Sequence, residues 1–152
     1  MKVVFDGTAL GSGPMTGVAR SFANALASYG ERFPGIATLL LPRHTTLPTF
    51  DGVATIVTRA GRVQRQFGLP RLLRRLGASV LHSPVAAVPL QAPCPTIATL
   101  HDVPWLHPEA EERSSRWRRF VTRASLRAAA VVIAPTPWSS GTGRMPMLCE
   151  FG

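Results

Sequence analysis

In KVVFDGTALGSGPMTGVARSF, residues 2–22, a short apolar run closes at Asp6 and Gly7, a turn with further glycines at 11, 13 and 17 comes next, and a helical pattern starts after Thr16. An apolar run without polar alternation predicts a strand buried on both faces, as in a parallel sheet. Thr16 stands at the cap position of the helix. Its apolar face is predicted from spacing as Val18, Phe22, Leu26 and Tyr29, with Gly30 as the stop. Strand, glycine turn and helix together form the opening unit of a doubly wound α/β sheet.

The rest of the chain repeats the alternation. IATLLL (36–41) and VATIVT (53–58) predict a second and a third buried strand, and SVLHS (79–83), TIATLHD (96–102) and AVVIAP (130–135) predict three more. Between the third and fourth, Val63, Phe67, Leu72, Leu73 and Leu76 alternate with Arg, and Pro70 predicts a short lead-in and then a helix from about that residue. HPEAEERSSRWRRFVTRASLRAAA (107–130) predicts the longest helix. Pro108 opens it, Glu109, Glu111 and Glu112 suit its first turns, and Trp117, Phe120, Val121, Ala124 and Ala128 are its expected apolar face. PTPWSS (135–140) signals another helix start, yet Gly141, Gly143 and Pro146 interrupt any helical run beyond it. The expected organisation is one Rossmann-like domain over 1–139 and an irregular tail over 140–152.

Composition narrows the class. The chain has 152 residues, a formal charge of +9 and 16 Arg against a single Lys, so it favours anionic partners such as nucleotides, nucleic acid or lipid headgroups without choosing among them. No apolar run approaches the roughly 20 residues of a membrane-spanning helix, and Asp6 cuts the N-terminal run too early for a secretion signal. A cytoplasmic protein is expected. Cys94 and Cys149 have no second Cys or His at metal-ligand spacing and read as reduced thiols.

The glycine turn fits neither of two common phosphate-binding patterns. A dinucleotide fingerprint requires G-x-G-x-x-G and an acidic residue about 20 positions on; here Gly11, Gly13 and Gly17 are spaced G-x-G-x-x-x-G, and LLLPRH supplies Arg43. TGVAR lacks the Lys-Ser/Thr pair of a P-loop. What remains is either a turn whose backbone amides and helix end can approach a diphosphate, or a mobile linker; spacing alone leaves both open. His82 ends one predicted strand and His101 and Asp102 end the next, so these three are expected in one crevice at the carboxyl edge, with Asp6 either on its rim or only bracing the turn. RSSRWRRF (113–120) reads as a solvated helix face that can touch anionic lipid, in preference to a nucleic-acid surface.

Taken in order, VVFDGTAL with TGVARSFANAL, then LHSP, then TIATLHDVPWLHPE before an Arg-rich helix, then VVIAPTPWSS, resemble the N-terminal half of GT-B glycosyltransferases of family 4 over residues 2 to about 139. The resemblance implies an acceptor-side Rossmann-like domain of a retaining, metal-independent enzyme. Its substrates would be a nucleotide-sugar donor and a glycan or lipid-linked acceptor, in polysaccharide biosynthesis. It further implies that Gly13, Thr16, Gly17 and Arg20 face the donor diphosphate and that His101 contacts the transferred sugar. Asp102 and Trp105 would shape the acceptor side, and His82 would brace the crevice. Such enzymes continue into a donor-binding domain with a Glu pair. The resemblance therefore implies half of an active site, inactive alone, either as a truncated product or as a subunit whose donor half is a separate chain; a stand-alone binding module is the alternative. No cofactor is implied, and the expected location is cytoplasmic, peripheral to the inner face of the membrane.

Overall fold

Neighbouring residues of a strand point to opposite sides of a sheet, so Val3, Val4, Phe5 and Asp6 need cover on both. The computed structural model describes residues 1–11, 16–43, 45, 49–59, 61, 63–101 and 116–134, with 116–119 as backbone alone. In it, β1 (Val3–Asp6) is joined by β2 (Ala37–Pro42), β3 (Val53–Thr58), β4 (Val80–Ser83), β5 (Thr96–Thr99) and β6 (Val131–Ile133). All five pairings are parallel, in the order β3-β2-β1-β4-β5-β6. That is the order of a doubly wound Rossmann-like sheet, with the direction of winding reversing between β1 and β4.

The two faces have different covers. Helix α1 (Gly17–Arg32) packs Ala19, Phe22 and Leu26 on Val3, Phe5, Ala37, Leu39 and Leu41. Helix α2 (Leu69–Leu76) packs Leu69 and Leu73 on Val4, Leu40 and Leu81 of the other face. The described part of the third helix, α3 (Arg116–Ala128), leads into β6, where Ala129 and Val132 pack with Ala98 and Val88 on the α2 side. Alternation along β1 thus sorts odd residues toward α1 and even ones toward α2.

Four expectations are corrected. Gly30 does not stop α1, which runs on to Arg32. Its role is a close approach, because a Cβ there would collide with the Asp51 carbonyl and with Val53. β3 matches its predicted bounds but is an edge strand, paired only with β2, so it is half-exposed instead of buried and Val57 stands 62% in solvent.

The helix around Pro70 begins earlier than expected, with a π-helical turn at Gln64–Gly68 whose closing bond runs from the Leu69 amide to the Gln64 carbonyl. This wider turn carries the chain directly into α2, where Pro70 is the second residue. Val63 and Phe67 consequently face solvent. Among the described side chains of α3 and just beyond it, Ser125 and Ala129 are buried and Val121 and Ala124 half-buried, whereas Phe120 is 62% exposed and Ala128 is also exposed; the Trp117 side chain lies outside the described residues. The buried stripe is centred on Ser125 and Ala129, away from Phe120. The first part of that predicted helix, PTPWSS and the 139/140 boundary lie outside the described residues.

Candidate functional site

Ligands of doubly wound sheets bind beyond the carboxyl ends of the strands, where the loops diverge at the winding reversal. Asp6 is the last residue of β1, and its side chain, only 6% exposed, turns to the α2 side. One carboxylate oxygen accepts the Thr8 N–H at 3.0 Å and so caps the short 3-10 turn Gly7–Leu10. The other lies 3.5 Å from Arg65 Nη2, which also donates to Thr8 Oγ1 at 2.7 Å. A carboxylate this buried requires such partners, since an uncompensated buried charge is strongly destabilising. Arg65 belongs to the π-helical turn, so that turn is tied directly to the start of the glycine loop. Between them opens a shallow pocket with Asp6, Thr8, Arg59 and Arg65 as polar walls and Leu40 and Leu69 beneath.

On the opposite side of the sheet, His82 pairs in register with Phe5 and faces α1. Its ring packs 5.6 Å from that of Phe5 and 6.2 Å from that of Phe22, and its Nε2 shares a 3.1 Å hydrogen bond with Thr99 Oγ1. Burial lowers its pKa from the ordinary 6.5, which keeps the imidazole neutral near pH 7. His82 therefore braces β4 against β5 and α1. Asp6 and His82 therefore lie on opposite faces of the sheet, and Asp6 braces the turn that follows β1. His101 stands two residues beyond Thr99 and is half-buried. Asp102, Trp105 and Gly13 lie outside the described residues.

The start of α1 is local chemistry that the sequence announces. Thr16 Oγ1 accepts the Ala19 N–H at 3.2 Å and the Thr16 carbonyl accepts the Arg20 N–H at 2.9 Å. The amides of Gly17 and Val18 precede the first intrahelical bond and point out of the helix end, where its partial positive charge gathers. A Cβ at Gly17 would meet nothing within 4 Å, and Thr16, Gly17 and Arg20 are all exposed. Among the described residues nothing covers this helix end.

Sequence reasoning missed the residues that hold the loop after β4. Gln66 donates from Nε2 to the Val88 carbonyl at 3.4 Å and accepts the Leu90 N–H at 3.0 Å. Buried Ser125 donates to the same Val88 carbonyl at 3.4 Å, and Ser83 Oγ donates to the Ala87 carbonyl at 3.3 Å. The one available signal was polarity out of place: a Ser in the apolar half of α3, and Gln flanking Arg65 in an otherwise apolar and basic run. Cys94, as expected, is a free thiol among the described residues. It packs against the α2-side core, and burial raises its pKa, partly offset by a backbone hydrogen bond with Leu81.

A wholly parallel, doubly wound sheet whose polar side chains and open helix end gather at the carboxyl edge defines a Rossmann-like α/β domain. The family model described as Glycosyltransferase Family 4 matches residues 21–140, most of the chain, and this chain belongs to that family. The six-stranded sheet is accordingly that of an N-terminal GT-B glycosyltransferase domain. The comparison with curated proteins and the comparison with solved structures each returned no match. The matched span contains His82, His101, Asp102 and Trp105; Asp6, Gly13, Thr16, Gly17 and Arg20 precede it.

Proposed function

We propose that this chain forms the acceptor side of a retaining glycosyltransferase that takes a nucleotide-sugar donor and a glycan or lipid-linked acceptor in polysaccharide biosynthesis. Membership of family 4 carries the reading. The chemistry of the carboxyl edge supports it: the amides of Gly17 and Val18 and the Arg20 guanidinium are suited to a donor diphosphate. Gly13 and Thr16 are assigned to the same diphosphate by the family resemblance. His101 is assigned the contact to the transferred sugar, while Asp102 and Trp105 shape the acceptor side. His82 positions the β4 and β5 ends and touches no substrate. A second, donor-binding domain would supply the contacts to the nucleotide and the sugar, so this half alone holds the donor weakly and does not turn it over. The proposed location is the cytoplasm, at the inner face of the membrane.

Calorimetry of the chain with UDP- and GDP-sugars tests the reading. Weak, millimolar binding is expected, and Arg20→Ala is expected to weaken it roughly tenfold through loss of a charge-assisted hydrogen bond. Micromolar binding would instead mark a self-sufficient nucleotide module, and affinity unchanged by Arg20→Ala would place the diphosphate elsewhere.

A further inference from the structure

Among the described strands β3 has a neighbour on one side only, and nothing in its sequence guards the other. Strands left at an edge are commonly protected by charge, by Pro, by a bulge or by brevity. The six residues of β3, VATIVT, carry no charge and no Pro, and all but Ala54 are β-branched. They keep unbroken register with β2 at every position, without a bulge. At the other end of the described sheet, β6 has only three residues. The Thr58 carbonyl accepts the Arg43 N–H from the β2 side at 3.0 Å. Period-two alternation therefore turns the main-chain groups of Ala54, Ile56 and Thr58 toward β2 and those of Val53, Thr55 and Val57 outward. The Val53 N–H is taken by the Phe50 carbonyl at 3.1 Å, but among the described residues no strand meets the N–H and C=O groups of Thr55 and Val57. Ala54, Thr55 and Val57 are also exposed as side chains, Val57 to 62%. Exposed Asp51 precedes the strand and exposed Arg59 follows it, and neither forms a salt bridge among the described residues.

We infer that β3 pairs antiparallel with β3 of a second copy of this chain, about a two-fold axis through Thr55, joining the two sheets into one. Such an axis, perpendicular to the sheet, keeps each face on its own side, so opposed residues share a face and the axis passes through a residue. Centring on Thr55 sets Thr55 against itself, Val53 against Val57 and Ala54 against Ile56, so that every cross-strand pair is apolar or β-branched. The outward main-chain groups of Thr55 then meet their own copies. Charge complementarity selects this occupant and this direction: the same register brings Asp51 of each copy toward Arg59 of the other, whereas parallel pairing would set like charge beside like. An unrelated extended peptide could take the main-chain bonds, but the matched side chains and charges are carried by this strand itself. β2 lies between β3 and β1, and the inference stands apart from the sugar-transfer reading.

Sedimentation velocity of the full chain over a micromolar concentration series tests it. A reversible monomer–dimer equilibrium is expected, with no larger species, because a two-fold pairing closes on itself. Val57→Lys puts a charge on the exposed edge and is expected to weaken the dimer at least roughly tenfold. Asp51→Arg or Arg59→Asp alone replaces two attractive contacts by two repulsive ones and is expected to weaken it roughly tenfold, while the two combined restore it to within about threefold of the native chain. All three positions are exposed, and far-ultraviolet circular dichroism verifies the fold of each variant. A chain that stays monomeric throughout overturns the inference, as do assemblies beyond the dimer. A dimer indifferent to Val57→Lys uses another surface, and one weakened by Asp51→Arg but not rescued by the double exchange is not antiparallel in this register; either result overturns the pairing.

Discussion

The imidazole of His82 is enclosed by Phe5 and Phe22 and bonded to Thr99, and its acid–base behaviour is set by that enclosure. Its folded-state pKa is lowered, so the unfolded chain takes up a proton first as the pH drops. The stability linked to neutral His82 is complete above pH 6.5, declines below it, and goes on declining until the folded-state value is passed. Denaturant titrations on either side of pH 6.5 are expected to give a steeper acid loss for the native chain than for His82→Gln; identical slopes would contradict the enclosure. Thr96 makes an opposite case. Its hydroxyl is buried with no hydrogen-bond partner among the described residues, so Thr96→Val, which keeps the shape and suits a strand, is expected to stabilise by about 1 kcal/mol. Loss of stability in a chemical melt would reveal a partner for that oxygen.

Among the elements, those specified by local chemistry were legible and those specified by distant partners were not. Thr16 caps α1 through a bond three residues away, and both the cap and the apolar spacing can be read from adjacent letters. The π-helical turn has no such local signature. Arg65 is bound to Thr8, 57 residues distant, and Gln66 to Val88 and Leu90, 22 and 24 residues distant, so its width records tertiary bonds. For the same reason Gly30 resembled a helix stop when its real constraint is the approach of Asp51, and Phe120 was expected on a face of α3 that Ser125 and Ala129 occupy. Gln66 is the test of this element. Gln66→Ala is expected to destabilise by about 1–2 kcal/mol and to speed hydrogen exchange at the Leu90 amide, while Gln66→Glu, which keeps the acceptor, is expected to protect that amide better than Ala does. Equal exchange in all three chains would show that the loop is held by other contacts.

Over the whole molecule, six short apolar runs separated by helical patterns specify a parallel sheet, and the predicted strands lie where the sequence patterning puts them to within one to three residues at each end. The strand order depends on pairing that no single segment encodes, although winding rules make the Rossmann-like order the natural one for this alternation. The candidate site was legible as a set of strand-end residues but not as a surface. Period-two alternation puts Asp6 and His82 on opposite faces, and only the register of Phe5 with His82 reveals it. The donor diphosphate is proposed to rest at the carboxyl edge beside α1. Amide chemical-shift mapping by NMR during titration with UDP- and GDP-sugars tests that placement most directly. The predicted result is a cluster of perturbed amides at Gly17, Val18 and Arg20 with a second at Leu100 and His101; perturbations confined to the outer edge at β3, or scattered without a cluster, would contradict it.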